Sequence, residues 1–144
     1  MAEMKSACAF CDIASGETKS EVVFENETCI AFLDYRPLFP GHCLLIPRKH
    51  YETLLDLPDE LIQPLFLSTK LLVGAVQTAC AAEGSFVAMN NTISQSVPHL
   101  HVHIVPRKKG DGLKGFFWPR HKYKDEEEMQ AIAEKIRMEV ARLS

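Results

Sequence analysis

Between Pro98 and Pro106 the chain alternates histidine with aliphatic residues: His99, Leu100, His101, Val102, His103 and Ile104, followed by Val105. Side chains on a β-strand point to opposite faces in turn, so the three histidines share one face and Leu100, Val102 and Ile104 share the other. A buried imidazole needs its own hydrogen-bond partners, and three of them in strict alternation are not explained by packing. The aliphatic face therefore belongs to a core and the histidine face to a site. Residues two apart on a strand are separated by roughly 6.5 Å, which lets neighbouring imidazoles act on one phosphate-sized group.

The rest of the chain supplies the sheet and helices that such a strand needs. Residues 21–25 and 28–33 flank the polar pair Asn26-Glu27 and predict a β-hairpin. Residues 42–46 read as a strand buried on both faces and closed by Pro47. From Pro58, Leu61, Ile62, Leu65, Phe66, Thr69, Leu72, Val73 and Val76 recur at helical spacing, with Gly84 as a stop. Pro64 requires this long helix either to start later or to kink. Residues 85–89 and 100–105 are two further strands around the polar loop 90–96, and residues 125–143 form a second helix. Its acidic start, Asp125 to Glu128, complements the helix dipole and is read as a solvated helix end.

With 144 residues, 47% of them hydrophobic and 24% charged, residues 1–144 read as one α+β domain with no repeat or linker. A net charge of −3 argues against duplex nucleic acid as a partner. No apolar run approaches the roughly 18 residues of a membrane span, and the N-terminus does not resemble a signal peptide, so the cytoplasm is the expected location. Five cysteines, of which only Cys8 and Cys11 are closely spaced, argue against a disulfide framework and leave one candidate metal pair.

Two chemistries fit the histidine face. A neutral imidazole held at one nitrogen by an acceptor is nucleophilic at the other and suits covalent attack on phosphorus, with a neighbouring histidine binding phosphate oxygens. Imidazoles on one face are equally zinc ligands. Spacing alone does not choose between them.

The run from Gln95, Ser96 and Val97 through His99, His101 and His103 resembles the signature of the histidine triad (HIT) family, with its Gln-Ser/Thr-Val lead-in. The likeness extends over Asp34 to His50, including Pro40-Gly41-His42, and to the Cys8–Cys11 start, about three quarters of the chain. It implies a five-stranded antiparallel sheet with two main helices, a homodimer, and a nucleotide hydrolase or transferase acting at the α-phosphate. The favoured substrates are purine nucleoside phosphoramidates, with dinucleoside polyphosphates or nucleotide binding without chemistry as alternatives. His101 would form the nucleotidyl-histidine, His103 would contact the phosphate and leaving group, and His99 would support the site from behind. Ser96 would assist the departing atom and Gln95 would lie beside the phosphate, against plainer readings as a turn hydroxyl and a loop-closing amide. Asp34 aligns with the ribose-binding acid, and Phe10, Ile13 and Phe32 with positions that hold the base. Asn90 takes a phosphate- or ribose-side role, although the loop at residues 90–94 is shorter than in relatives and lacks their glycines.

By the same resemblance, Cys8 and Cys11 form a structural zinc site with His50 and His99, which would tie the N-terminus to the catalytic strand. His42 and His121 fall outside this scheme and read as ordinary structural or surface histidines. Residues 107–124 hold seven of the sixteen basic residues together with Phe116, Phe117, Trp118 and Tyr123. This segment reads either as a cover for an anionic substrate or as a solvated loop.

Overall fold

The computed structural model describes residues 7–113 and 120–144. The segment at 114–119, with Phe116, Phe117 and Trp118, lies outside the described residues. The chain divides into two compact units, 1–111 and 112–144.

The first unit is built on a five-stranded antiparallel sheet in the order β1-β2-β3-β5-β4. The strands are β1 (Val22–Glu25), β2 (Cys29–Leu33), β3 (Cys43–Pro47), β4 (Gly84–Ala88) and β5 (Val102–Arg107). Alternation sorts their side chains into two cores. Cys29, Ala31, Cys43, Leu45, Leu100, Val102 and Ile104 pack with Leu65, Leu72 and Val76 of α2 (Ile62–Ala79). Ile30, Phe32, Leu44 and Ile46 face the other way, onto Phe10 of the short helix α1 (Ala9–Ser15). β3 is buried along its whole length, as its uninterrupted apolar run requires.

Helix α1 starts where the Cys8 sulfur accepts the Cys11 N–H and ends at Gly16, whose φ of 86° is the left-handed cap that glycine adopts without strain. α2 begins later than Pro58: a 3₁₀ turn at Asp59–Leu61 comes first, which places Pro64 in the opening turn of the α-helix. There its missing N–H has no intrahelical acceptor to lose, so the later start accommodates the proline.

β5 also begins later than the alternation suggests. Leu100 gives its N–H to Tyr51 O rather than to a ladder partner, and His99 O is taken by the His101 ring, so His99 and His101 lie just before the strand. In the preceding loop, Thr92 and Ser94 hold positive φ values of 71° and 60° where glycine is absent.

In the second unit, α3 (Glu126–Leu143) is capped by the Asp125 carboxylate, which accepts the Glu128 N–H at 2.8 Å. Arg137 with Glu134 and Arg142 with Glu139 pair along its surface, and none of its residues is buried. Among the described residues no helix is long and apolar enough to cross a membrane.

Candidate functional site

Three backbone groups set the proton positions on four histidines. The carbonyl of His99 lies 2.8 Å from His101 Nδ1, and a carbonyl only accepts, so Nδ1 carries the proton and Nε2 keeps its lone pair. In the same way Pro47 O, 2.8 Å from His99 Nε2, puts the His99 proton there and leaves Nδ1 as the free donor atom. The N–H of Leu38 donates to His42 Nδ1 at 3.1 Å, so the proton of His42 sits on Nε2. That Nε2 lies 3.0 Å from His103 Nδ1 and donates to it, which leaves the His103 proton on Nε2.

Burial also favours the neutral form of three of these rings. Burial pushes His42 and His99 below the ordinary histidine range, with Asp34 opposing the shift at His42 and Pro47 O opposing it at His99. His103 is pushed down to about 4, by burial first and then by His101 and His42. Phe10 stands edge-on to the His101 ring at 5.0 Å between centroids, and the His103 ring is also 5.0 Å from it.

Cys8, Cys11, His50 and His99 form a second cluster, whose donor atoms all lie within 4.8 Å of one another. Sulfur-to-nitrogen separations are 3.4 Å for Cys8–His99, 3.3 Å for Cys11–His50 and 3.5 Å for Cys11–His99. The corresponding edge of a tetrahedral site with ordinary metal–sulfur and metal–nitrogen bonds is about 3.6 Å, so these four residues fit one tetrahedral cation. Burial and the neighbouring Cys8 push the Cys11 thiol up to about 11, the position of a sulfur that lacks a compensating positive charge. Asp34, His42 and His103 also converge, but they suit no cation: the Leu38 N–H occupies one nitrogen of His42 and the ring proton the other.

A cleft of about 1130 Å³ opens over this face of the sheet. His101, His103 and Ser96 line it together with Asp34, and Phe10, Ile13, Phe32 and Leu44 supply its apolar surface. A nucleophilic nitrogen, a neutral N–H donor, a carboxylate and an apolar floor thus meet in one space.

Residues 15–110 match the HIT domain. The chain belongs to the HIT family. The Arabidopsis thaliana adenylylsulfatase HINT3 is 30% identical over 147 residues, covering 97% of this chain and 73% of that protein. The asymmetrical bis(5'-nucleosyl)-tetraphosphatase of Schizosaccharomyces pombe is 34% identical over 94 residues, covering 64% of this chain and 52% of that protein. A HIT family crystal structure from Bacillus subtilis superposes with a TM-score of 0.84 at 33% identity, covering 92% of this chain and 96% of the other. A zinc-bound histidine triad protein of Mycobacterium smegmatis gives 0.71 at 30% identity, covering 94% and 97%. The relatives of this HIT domain thus include nucleotide hydrolases, and its fold is that of the family.

Not every residue singled out in the sequence of this HIT domain reaches the cleft. Gln95 gives its amide N–H to Glu52 O and accepts the Thr92 N–H at 2.9 Å, which closes the loop. Asn90 is not among the residues that line the cleft; the neighbouring Asn91 accepts the Leu54 N–H at 2.8 Å. His42 is more than the ordinary structural histidine its sequence context suggested, because it holds His103. Parity carried the missing signal: His42, Leu44 and Ile46 alternate onto the histidine face, as the pairing of Leu44 with His103 shows. Tyr35 and Arg36, which stack at 5.7 Å, also line the cleft and carried no sequence signal.

Proposed function

We propose that this HIT domain cleaves purine nucleoside phosphoramidates at the α-phosphorus through a covalent nucleotidyl-His101. The observation that carries the reading is the locked tautomer of His101, which lines the cleft: the His99 carbonyl holds Nδ1–H, so the neutral ring has its lone pair on Nε2. Nε2 attacks phosphorus as the bond to the amine nitrogen breaks, and water then attacks the nucleotidyl-histidine and restores the ring. His103, neutral with its proton on Nε2, donates a hydrogen bond to a phosphate oxygen and so stabilises charge that grows in the transition state. Ser96, exposed at the cleft wall, passes a solvent proton to the departing nitrogen. Asp34 accepts from the ribose hydroxyls, and Phe10, Ile13 and Phe32 hold the base.

Cys8, Cys11, His50 and His99 would hold a structural zinc ion, whose positive charge stabilises the two thiolates when bound. The two sulfurs and two nitrogens at tetrahedral spacing support this choice of metal, and the zinc-bound M. smegmatis relative is consistent with it. His99 then joins the two sites: its Nδ1 faces the cluster, and its carbonyl sets the His101 tautomer. The domain is proposed to work as a homodimer.

Dinucleoside polyphosphates form a second reading, favoured by a cleft roomier than one mononucleotide needs and by the S. pombe relative. The test is turnover of adenosine 5'-phosphoramidate and of a dinucleoside tetraphosphate by the native chain and by His101→Ala. Turnover of the phosphoramidate should fall at least a thousandfold in the variant, and mass spectrometry of the native chain should trap an adenylate on His101. Equal turnover by both proteins defeats the mechanism, and nucleotide binding without cleavage makes the domain a binding module.

A further inference from the structure

The sheet measures what lies beyond the phosphate. His103 on β5 pairs with Leu44 on β3, Leu44 with Phe32 on β2, and Phe32 with Val22 on β1. Paired residues share a face, and neighbouring strands lie roughly 4.8 Å apart, so this row runs roughly 14 Å from the imidazole to the edge strand. Allowing for the reach of the imidazole, that is the length of a 5'-mononucleotide from its α-phosphorus to the outer edge of its base. A nucleotide with phosphorus at His101 and its base over Phe32 therefore presents the base edge to the residues just before β1.

Those residues are held in place. Thr18 donates its N–H to Asp12 O at 3.0 Å, Leu33 donates to Glu21 O at 3.0 Å, and Val22 donates to Ser20 O at 3.1 Å. Lys19 and Glu21 line this end of the cleft, and neither takes part in the ion pairs formed among the described residues.

We propose that Glu21 and Lys19 read the base edge and make guanine the preferred base; this rests on the nucleotide site argued above. A carboxylate accepts two hydrogen bonds side by side, and guanine offers two adjacent donors, N1–H and the N2 amino group. The guanine O6 beside them accepts from an ammonium group. Adenine presents one amino donor and, next to it, the N1 lone pair, which repels a carboxylate. Hypoxanthine keeps O6 and N1–H but lacks the amino group, so it ranks between the two.

The test is calorimetric binding of GMP, IMP and AMP to the full chain. GMP should bind about tenfold more tightly than AMP, near the lower end of what a bidentate base contact gives, with IMP between them. Glu21→Gln should bring the GMP-to-AMP ratio close to one, and Lys19→Met should weaken GMP and IMP alike. Both positions are exposed, so neither change threatens the fold. Equal affinity for the three nucleotides, or an unchanged ratio in Glu21→Gln, overturns base reading and leaves the nucleotide site standing. Failure to bind any of the three overturns both.

Discussion

Lowering the pH from 7.5 to 5 should destabilise this protein in a way that can be traced to His103. In the unfolded chain that imidazole has the ordinary value of 6.5, and in the fold burial and its two histidine neighbours bring it down to about 4. Below pH 6.5 the unfolded chain therefore binds the extra proton and the native chain does not. Stability rises with pH across this window, is fully present above 6.5, and is lost as the pH falls towards 4. A difference of 2.5 pH units, at 1.36 kcal/mol each, amounts to roughly 3 kcal/mol in full, of which about 2 kcal/mol has gone at pH 5. The measurement is urea unfolding of the native chain and of His103→Gln at pH 7.5 and pH 5. Glutamine keeps an acceptor for the His42 N–H but does not titrate. The metal-ligand cluster loses stability in acid too, but it does so in both proteins and cancels in the comparison. The native chain should lose about 2 kcal/mol more than the variant over this interval. Equal losses would mean that His103 is not a neutral, desolvated ring, and its role as an N–H donor to phosphate would fall with that.

Metal analysis should find one zinc ion per chain in the native protein and in His101→Ala, and substoichiometric zinc in Cys8→Ser. A chelator should lower the melting temperature of the first two and leave the third unchanged. Phe10→Ala should cost about 3–5 kcal/mol in urea unfolding, because a ring only 7% exposed, packed on Phe32 at 5.4 Å, leaves a cavity. The same change should weaken AMP binding by removing part of the apolar floor. Gly41→Ala should cost about 1–3 kcal/mol, since φ is 100° there and a β-carbon would run into the Cys80 sulfur. Because His42 is the next residue, kcat should fall with little change in KM; a larger change in KM than in kcat would refute the link to His103.

Much of the fold was legible because it depends on short-range periodicity. The alternation at residues 99–104 assigned the aliphatic side chains to the α2 core and the histidines to the opposite face, and the apolar run at 42–46 marked a central strand. Helical spacing located α2 and α3; the structure moved their starts, where Pro64 and Asp125 fall into helix-opening positions, and ended α2 at Ala79, short of the expected stop at Gly84, which instead opens β4. Element ends were less legible. The start of β5 depends on whether Leu100 finds a ladder partner or Tyr51, a residue far away in sequence.

The histidine-rich strand, its two faces and its kinship to a family of phosphorus-handling proteins were written in the order of the residues, because side chains two apart on an extended backbone share a face wherever the strand sits. Which nitrogen carries the proton of His99 and of His103 was decided by folding alone. The Pro47 carbonyl reaches a ring 52 positions away, and His42 meets His103 across 61 positions. Gln95 was drawn off by Glu52, and the Cys8 sulfur was brought to His99 across 91 positions. A tautomer answers to whichever acceptor or donor is brought within 3 Å, and no local pattern records that neighbour.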